Sequence, residues 1–356
     1  MDEHGGNIEK AAREYRLAQG KLIDFSANIN PLGIPGRIQK VICKALDSTD
    51  RYPDPEYSEL RKALSSLYGV KPHNILVDNG SISLVYLIPR ALGLKRPLVP
   101  IPAFSEYEKS VCLAGGQPVF LKPFKDFSLD IDNLIRLLKG RDSLYIGNPN
   151  NPTGLSIAKD DLLRIVHAAE DKKAMVIIDE AFIEFTDNYA RNTLIKEAPR
   201  SENLIVIRSM TKYFAMAGLR LGAAIAHKGI ISRLKKFQPP WQVNSVAVRV
   251  AIELIKDKRY ISDSFTLMKR ERNFLHASLA AFPALRAWQP SSNFIFCMIK
   301  DKTLPAAHLR NSLARKGILI RDCANFRGLN KYYFRVAVRT RQENLKLLKG
   351  LREALN

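Results

Sequence analysis

The sequence has no apolar run near the 18 or so residues needed to cross a membrane, and its start, MDEHGGNIEK, does not pass from charged to apolar as a secretion signal does. The expected location is therefore the cytoplasm. Cysteine is scarce: Cys43, Cys112, Cys297 and Cys323 are scattered without a CxxC pair. That argues against a disulfide framework or a zinc site and reads as four buried, reduced thiols, with no metal expected. Internal repeats, low-complexity tracts and long linkers are also missing. Acidic residues are few, 35 against 56 Lys and Arg, which leaves a net charge of +21. Such an excess suits nucleic acid, an acidic membrane surface or anionic small molecules. The basic residues are spread along the chain, however, and the densest run, Arg233-Leu234-Lys235-Lys236, is short and accompanied by no nucleic-acid module. The charge is read as compatible with a phosphorylated, carboxylated substrate, with neither nucleic acid nor membrane as partner.

What the chain does have, over 356 residues, is room for one large domain and a smaller one. From residue 75, short apolar runs alternate with helical stretches. Strands are expected near Ile75 to Val77, Leu98 to Ile101, Val119 to Leu121, Leu144 to Ile146, Val176 to Ile178, Leu204 to Ile207 and Leu221 to Ile225. This alternation implies an α/β fold, a largely parallel sheet covered by helices on both faces. After Trp241 the pattern is mostly helical to about Ala281. Strands then follow near Phe294 to Met298, Ile318 to Ile320 and Tyr333 to Val338, and a helix closes the chain, as in a smaller mixed domain. The expected division is an arm with part of the small domain at 1–44, a large domain at 45–245 and a small domain at 246–356.

Ligands of such sheets sit at the carboxyl ends of the strands, so the residues there are the candidates. Lys212, in SMTKYFAMAGLRLG at 209–222, follows the run Leu204 to Ile207. A desolvated lysine amine near other cations can form a Schiff base with an aldehyde, although a lysine after a strand is commonly just a surface residue. Ser209, Thr211 and Arg220 could hold a phosphate beside it, and together they suggest pyridoxal phosphate. Asp78-Asn79-Gly80-Ser81 opens a helix whose N-terminus can receive a phosphate. Asp179 follows three apolar residues; it would suit a protonated pyridine nitrogen, or equally cap a helix. Phe104 offers a ring face or a core contact, and Asn148-Pro149-Asn150-Asn151 is dense in turn formers. Asn28 and Asn30 read as turn chemistry. Arg321 and Arg335 adjoin apolar strands, where an arginine either clamps an anion or makes a structural salt bridge.

Asn151, Asp179 and Lys212, in that order and each after a strand, resemble the fold type I pyridoxal-phosphate enzymes of the aspartate aminotransferase class. The motifs are NPNNPTG at 148–154, DEAF at 179–182 and SxTK followed by GLRLG at 209–222. Within that class the chain is similar to the threonine-phosphate decarboxylases of cobalamin biosynthesis, near relatives of the histidinol-phosphate aminotransferases. The segments carrying this are His4-Gly5-Gly6-Asn7, DFSANINPLG at 24–33, DEAFIEF at 179–185, PPWQVN at 239–244 and LIRDCANFRGL at 319–329. The resemblance implies the fold type I transferase fold, with a mostly parallel seven-stranded sheet in the large domain and an α+β small domain.

It further implies that Lys212 carries the cofactor, Asp179 pairs with its ring nitrogen, Asn151 bonds its phenolic oxygen and Phe104 stacks on its ring. Gly80, Ser81, Ser209, Thr211 and Arg220 would hold its phosphate, with Tyr52 arriving from a second subunit of a homodimer. Arg335 and Asn28 would take the substrate carboxylate, and Arg321 and His4 would lie near the substrate phosphate. The implied activity is decarboxylation of O-phospho-L-threonine to (R)-1-aminopropan-2-ol O-phosphate and carbon dioxide; the alternative is a histidinol-phosphate type aminotransferase. Two departures stand out. Phe182 replaces the tyrosine common in the aminotransferases, which favours the decarboxylase, and Ser81-Ile82 replaces a usual acidic residue in the phosphate cup.

Overall fold

Short runs of leucine and β-branched residues, apolar on both faces, build the central sheet. A computed structural model describes residues 4–123 and 125–355. After a short first strand, β1 (Ile23–Asp24), the sheet takes β2 (Ile75–Asp78), β3 (Pro97–Pro100), β4 (Val119–Leu121), β5 (Ser143–Gly147), β6 (Met175–Asp179), β7 (Leu204–Ser209) and β8 (Gly222–Ile225). Their order is β2-β8-β7-β6-β5-β3-β4. Successive side chains of one strand enter different cores: Val176 and Ile178 join one cluster and Ile177 the other. Two-sided burial is why these strands are continuous apolar runs rather than alternating ones.

The sheet is mixed in one respect that strand spacing does not show. β8 runs antiparallel to both β2 and β7, while the remaining pairings are parallel. The turn through Arg220 and Leu221 returns the chain directly beside β7, with no helical crossover to set a parallel course. Helices α1 (Ile8–Tyr15), α2 (Ile38–Leu46), α3 (Ser58–Tyr68), α4 (Ser81–Leu92) and α5 (Ser105–Leu113) precede or interleave with the first strands.

The second sheet joins β9 (Leu285–Ala287), β10 (Phe294–Ile299), β12 (Arg321–Asp322) and β13 (Tyr333–Ala337) in the order β12-β13-β10-β9, while β11 (Ile318–Leu319) pairs with β1. The single strand expected at Ile318 to Ile320 is thus two. The chain changes partner at Ile320, from β1 on one side to β13 on the other, and this swings Arg321 beside Arg335. β9 went unread because it is three residues long and only Leu285 is buried. The helical stretch after Trp241 is two helices, Ser245–Lys256 and Lys258–Ala280, broken at Asp257, whose carboxylate accepts from Tyr260 N at 3.0 Å.

Two of the four thiols differ from expectation. Cys297 and Cys323 are buried, but Cys43 and Cys112 are exposed, and none is in a disulfide. α2 buries Ile38 and Ala45 and α5 buries Tyr107 and Val111, so Cys43 and Cys112 fall on the outward sides of their helices. Among the described residues no helix is long and apolar enough to cross a membrane, and no cluster of His, Cys, Asp and Glu could hold a metal ion.

One buried charge network ties the carboxyl ends of β6 and β7 together. Arg208 is fully buried and donates to Glu180 Oε2 at 2.9 Å and Glu184 Oε1 at 2.6 Å, with Tyr68 and Tyr189 against its guanidinium. Glu180 also accepts from Thr193 Oγ1 and Leu194 N. Removing the arginine would strand two buried carboxylates. Arg208→Met is therefore expected to lower stability by about 3–5 kcal/mol in urea unfolding, whereas an exposed pair such as Arg249–Glu59 is worth under ~1 kcal/mol.

Candidate active site

The carboxyl ends of the parallel strands open onto a cavity of about 310 Å³ where β6, β7, the loop after β1, and β12 and β13 meet. His4, Asn28, Ser81, Phe104, Asn151, Asp179, Ser209, Thr211, Lys212, Arg220, Arg321 and Arg335 all line it, although they are drawn from the whole length of the chain. Gly80 caps α4 just behind Ser81 at φ 78°, a conformation open to glycine, and a Cβ there would lie 2.8 Å from Arg220 Nη2. Arg220 itself stands at φ 61°, which costs about 1 kcal/mol or more in a non-glycine residue and turns its guanidinium back toward the start of α4. The result is an anion cup of helix N-terminus, hydroxyls and guanidinium. Tyr52 stands apart from the other expected residues: it is 79% exposed, stacks on Trp241 at 4.5 Å between ring centroids, and does not line the cavity of its own chain.

Asp179 ends β6, buried. Its Oδ2 accepts from Tyr107 Oη at 2.8 Å and its Oδ1 from Ala181 N at 3.0 Å. Burial pushes the carboxyl up from its usual range, against these two donors and the charge of Lys212. Tyr107 escaped the sequence reading. It lies in a helical segment, three residues past Phe104, and only the sheet register shows that its hydroxyl reaches β6.

Lys212 lies in the single turn Met210–Tyr213 that follows β7, its Nζ 5.9 Å from the centre of the Phe182 ring. Asn30, read as a turn former, does accept from Leu32 N at 3.1 Å. It also holds the lysine turn: its N donates to Lys212 O at 3.0 Å, and its Nδ2 donates to Tyr213 O at 2.9 Å and Ser264 Oγ at 2.7 Å. Burial, then the charges of Arg335 and Arg220, lower the Lys212 amine to about 8. The amine is thus half neutral near pH 8, so reaction of the apoprotein with an aldehyde is expected to reach half its maximal rate near there. Stopped-flow absorbance across pH 6–10 reads this directly. The sign for stability follows. An unfolded lysine keeps its proton to higher pH, so between about pH 8 and the ordinary lysine range the unfolded chain binds more protons, and this group's contribution to stability rises with pH.

Arg335 is buried within β13. It donates through Nη2 to Ser26 O at 2.9 Å and through Nη1 to Asn151 Oδ1, while its Nε has no partner among the described residues. Among the described residues no carboxylate forms an ion pair with it, and burial together with Arg321 lowers it to about 10. Asn28 Oδ1 is likewise buried without a partner. Arg321 donates to Asn325 Oδ1 at 2.8 Å and stacks over Phe326. Arg335 thus makes no structural salt bridge among the described residues, and a buried guanidinium with a free donor is chemically suited to an anion. On the opposite wall, a buried carboxylate and a depressed lysine beside an anion cup fit an aromatic aldehyde phosphate with a basic ring nitrogen.

The chain matches the family model for aminotransferase class I and II over residues 20–351. It is 41% identical over 352 residues to a protein named "Putative threonine-phosphate decarboxylase" from Caldanaerobacter subterraneus, covering 98% of this chain and 93% of the relative. Against the threonine-phosphate decarboxylase of Salmonella typhimurium it is 31% identical over 99% of this chain and 96% of the relative. Among solved structures, the histidinol-phosphate aminotransferase from Clostridium acetobutylicum superposes with a TM-score of 0.88 at 34% identity, over 93% of this chain and 98% of that one. Matched over nearly its whole length, the chain belongs to the class I and II aminotransferase family.

Proposed function

We propose that the protein is a pyridoxal-phosphate-dependent carboxy-lyase that removes the carboxylate of O-phospho-L-threonine, giving (R)-1-aminopropan-2-ol O-phosphate and carbon dioxide, in cobalamin biosynthesis. The carrying observation is one cavity that sets Lys212 and Asp179 against two neighbouring arginines, Arg321 and Arg335, in a chain whose relatives include threonine-phosphate decarboxylases. Lys212 Nζ would hold the cofactor's aldehyde carbon, Asp179 its ring nitrogen, Asn151 its phenolic oxygen and Phe104 its ring face. Gly80, Ser81, Ser209, Thr211 and Arg220 would hold its phosphate. Bound there, pyridoxal phosphate supplies an electron sink for the pair released when a bond to the substrate's alpha carbon breaks.

This chain's own residues decide which bond that is. Arg335 and Asn28 would grip the carboxylate, and Arg321 and His4 the phosphate, so two anchors fix which bond stands ready to break. Lys212 Nζ then returns a proton to the alpha carbon after carbon dioxide leaves. Phe182 presents a ring without a hydroxyl, T-shaped on Phe294 at 5.0 Å, where the resemblance places a tyrosine in aminotransferases. That tunes the site away from transamination.

The site would be shared in a homodimer, with exposed Tyr52 serving the partner's phosphate cup, in a cytoplasmic protein whose large domain spans about residues 45–245. The test is to supply the pyridoxal-phosphate-loaded protein with O-phospho-L-threonine and no 2-oxo acid. Catalytic release of carbon dioxide and amine phosphate is the expected result. The 34% identity to a histidinol-phosphate aminotransferase favours one rival, and turnover of histidinol phosphate with 2-oxoglutarate in place of carbon dioxide release would establish that instead.

A further inference from the structure

Beside the candidate substrate-phosphate end of the cavity stands a carboxylate that the mechanism above does not use. Glu106, in the first turn of α5, is buried and lines the cavity. A negative charge there opposes an anionic substrate unless it is committed elsewhere. Its partners commit it. Oε1 accepts from His4 Nε2 at 2.9 Å, Lys109 Nζ at 3.3 Å and Ser105 Oγ at 3.3 Å, and Oε2 accepts from Tyr86 Oη. Burial alone would raise this carboxyl, but the hydrogen bonds from Tyr86 and Lys109 outweigh it and hold the group below the usual carboxylate range.

The His4 contact is the one that reaches out of the local helices, 102 residues away in sequence. His4 is half exposed, and its ring lies 5.8 Å from that of Phe104. The rest of the arm is seated on the other side of the cavity: Gly6 N donates to Ser26 Oγ at 2.8 Å, and Ser26 O is the acceptor of Arg335 Nη2. Gly5 passes so close that a Cβ would lie 2.3 Å from Ser26 O. Residues 4–6 therefore bridge the mouth from the Arg335 segment to α5, and Glu106 is the α5 end of that bridge.

We propose that Glu106 is a positioning residue that fixes His4, and with it arm residues 4–6, over the cavity mouth, and so sets the preference for a phosphorylated over an unphosphorylated amino acid. This rests on the functional reading above, in which His4 meets the substrate phosphate. An exposed His–Glu pair that only decorated the surface would contribute under ~1 kcal/mol and would not distinguish substrates. A buried carboxylate whose acceptors are all engaged is a fixed mount, and an imidazole aimed by it loses less freedom on meeting a phosphate.

The experiment compares pyridoxal-phosphate-loaded wild type, Glu106→Gln, His4→Ala and the double variant, with cofactor absorbance as the check on folding and loading. For Glu106→Gln the KM for O-phospho-L-threonine is expected to rise about tenfold with kcat within about twofold, and the dissociation constant of L-threonine, from the cofactor's spectral change, to stay the same. His4→Ala should raise the same KM, and the double variant should raise it no further than the larger single change. An unchanged KM, an equal loss for L-threonine, or additive losses would overturn the proposal. Should wild type release no carbon dioxide, the decarboxylase reading fails separately. The dissociation constant of O-phospho-L-threonine then reads the same comparison: about tenfold weaker binding in Glu106→Gln supports the role, and equal binding removes it.

Discussion

Lys212→Ala is expected to abolish the cofactor absorbance that marks a lysine-bound aldehyde and to lower turnover by at least about a thousandfold, with the fold intact. The side chain is the one lysine amine among the described residues that line the cavity, held with half its population neutral near pH 8 by burial and by Arg335 and Arg220. Truncation leaves Asp179, the phosphate cup and both arginines in place, so binding of pyridoxal phosphate should persist in weakened form while proton return fails. Stability should not fall, because a buried group that resists its own charge is being removed. Equilibrium unfolding at pH 7 separates this from a folding defect, and retention of absorbance and turnover together would take Lys212 out of its role.

Much of this candidate site was legible because its residues sit at or shortly after an apolar run, where strand ends and loops are easiest to read. Asp179 ends β6, and Lys212 and Asn151 stand in the loops after β7 and β5, while the strand from Val119 falls where periodicity puts it. What escaped reading was what depends on a third element. Tyr107 reaches the end of β6 only because α5 packs against α4 and β3, and Asn30 holds the lysine turn only because residues 182 positions apart are brought together. Nothing local in a sequence encodes such approaches. The antiparallel course of β8 and the split at Ile320 escaped for a related reason: hydrophobic pattern reports burial, not the direction or partner of a strand.

The arginine at the other wall carries the largest expected effect on substrate binding. Arg335→Met should weaken O-phospho-L-threonine binding by about 3 kcal/mol, roughly a hundredfold in kcat/KM, since a desolvated carboxylate would lose a charged, two-pronged donor. Two further consequences separate this from general damage. Among the described residues the buried guanidinium has no carboxylate partner, and it is held down to about 10, so replacing it with an apolar side chain of similar length should leave stability in urea unchanged or raised. Arg335 is also the foremost charge depressing Lys212, second only to burial. Its removal should therefore move the pH midpoint for reaction of the apoprotein with pyridoxal phosphate upward from about 8, slowing loading at neutral pH. A variant that bound substrate poorly, unfolded early and kept the wild-type midpoint would show Arg335 to be a structural residue. One that bound poorly, stayed stable and shifted its midpoint upward would show that a single buried charge both receives the carboxylate and keeps the lysine reactive.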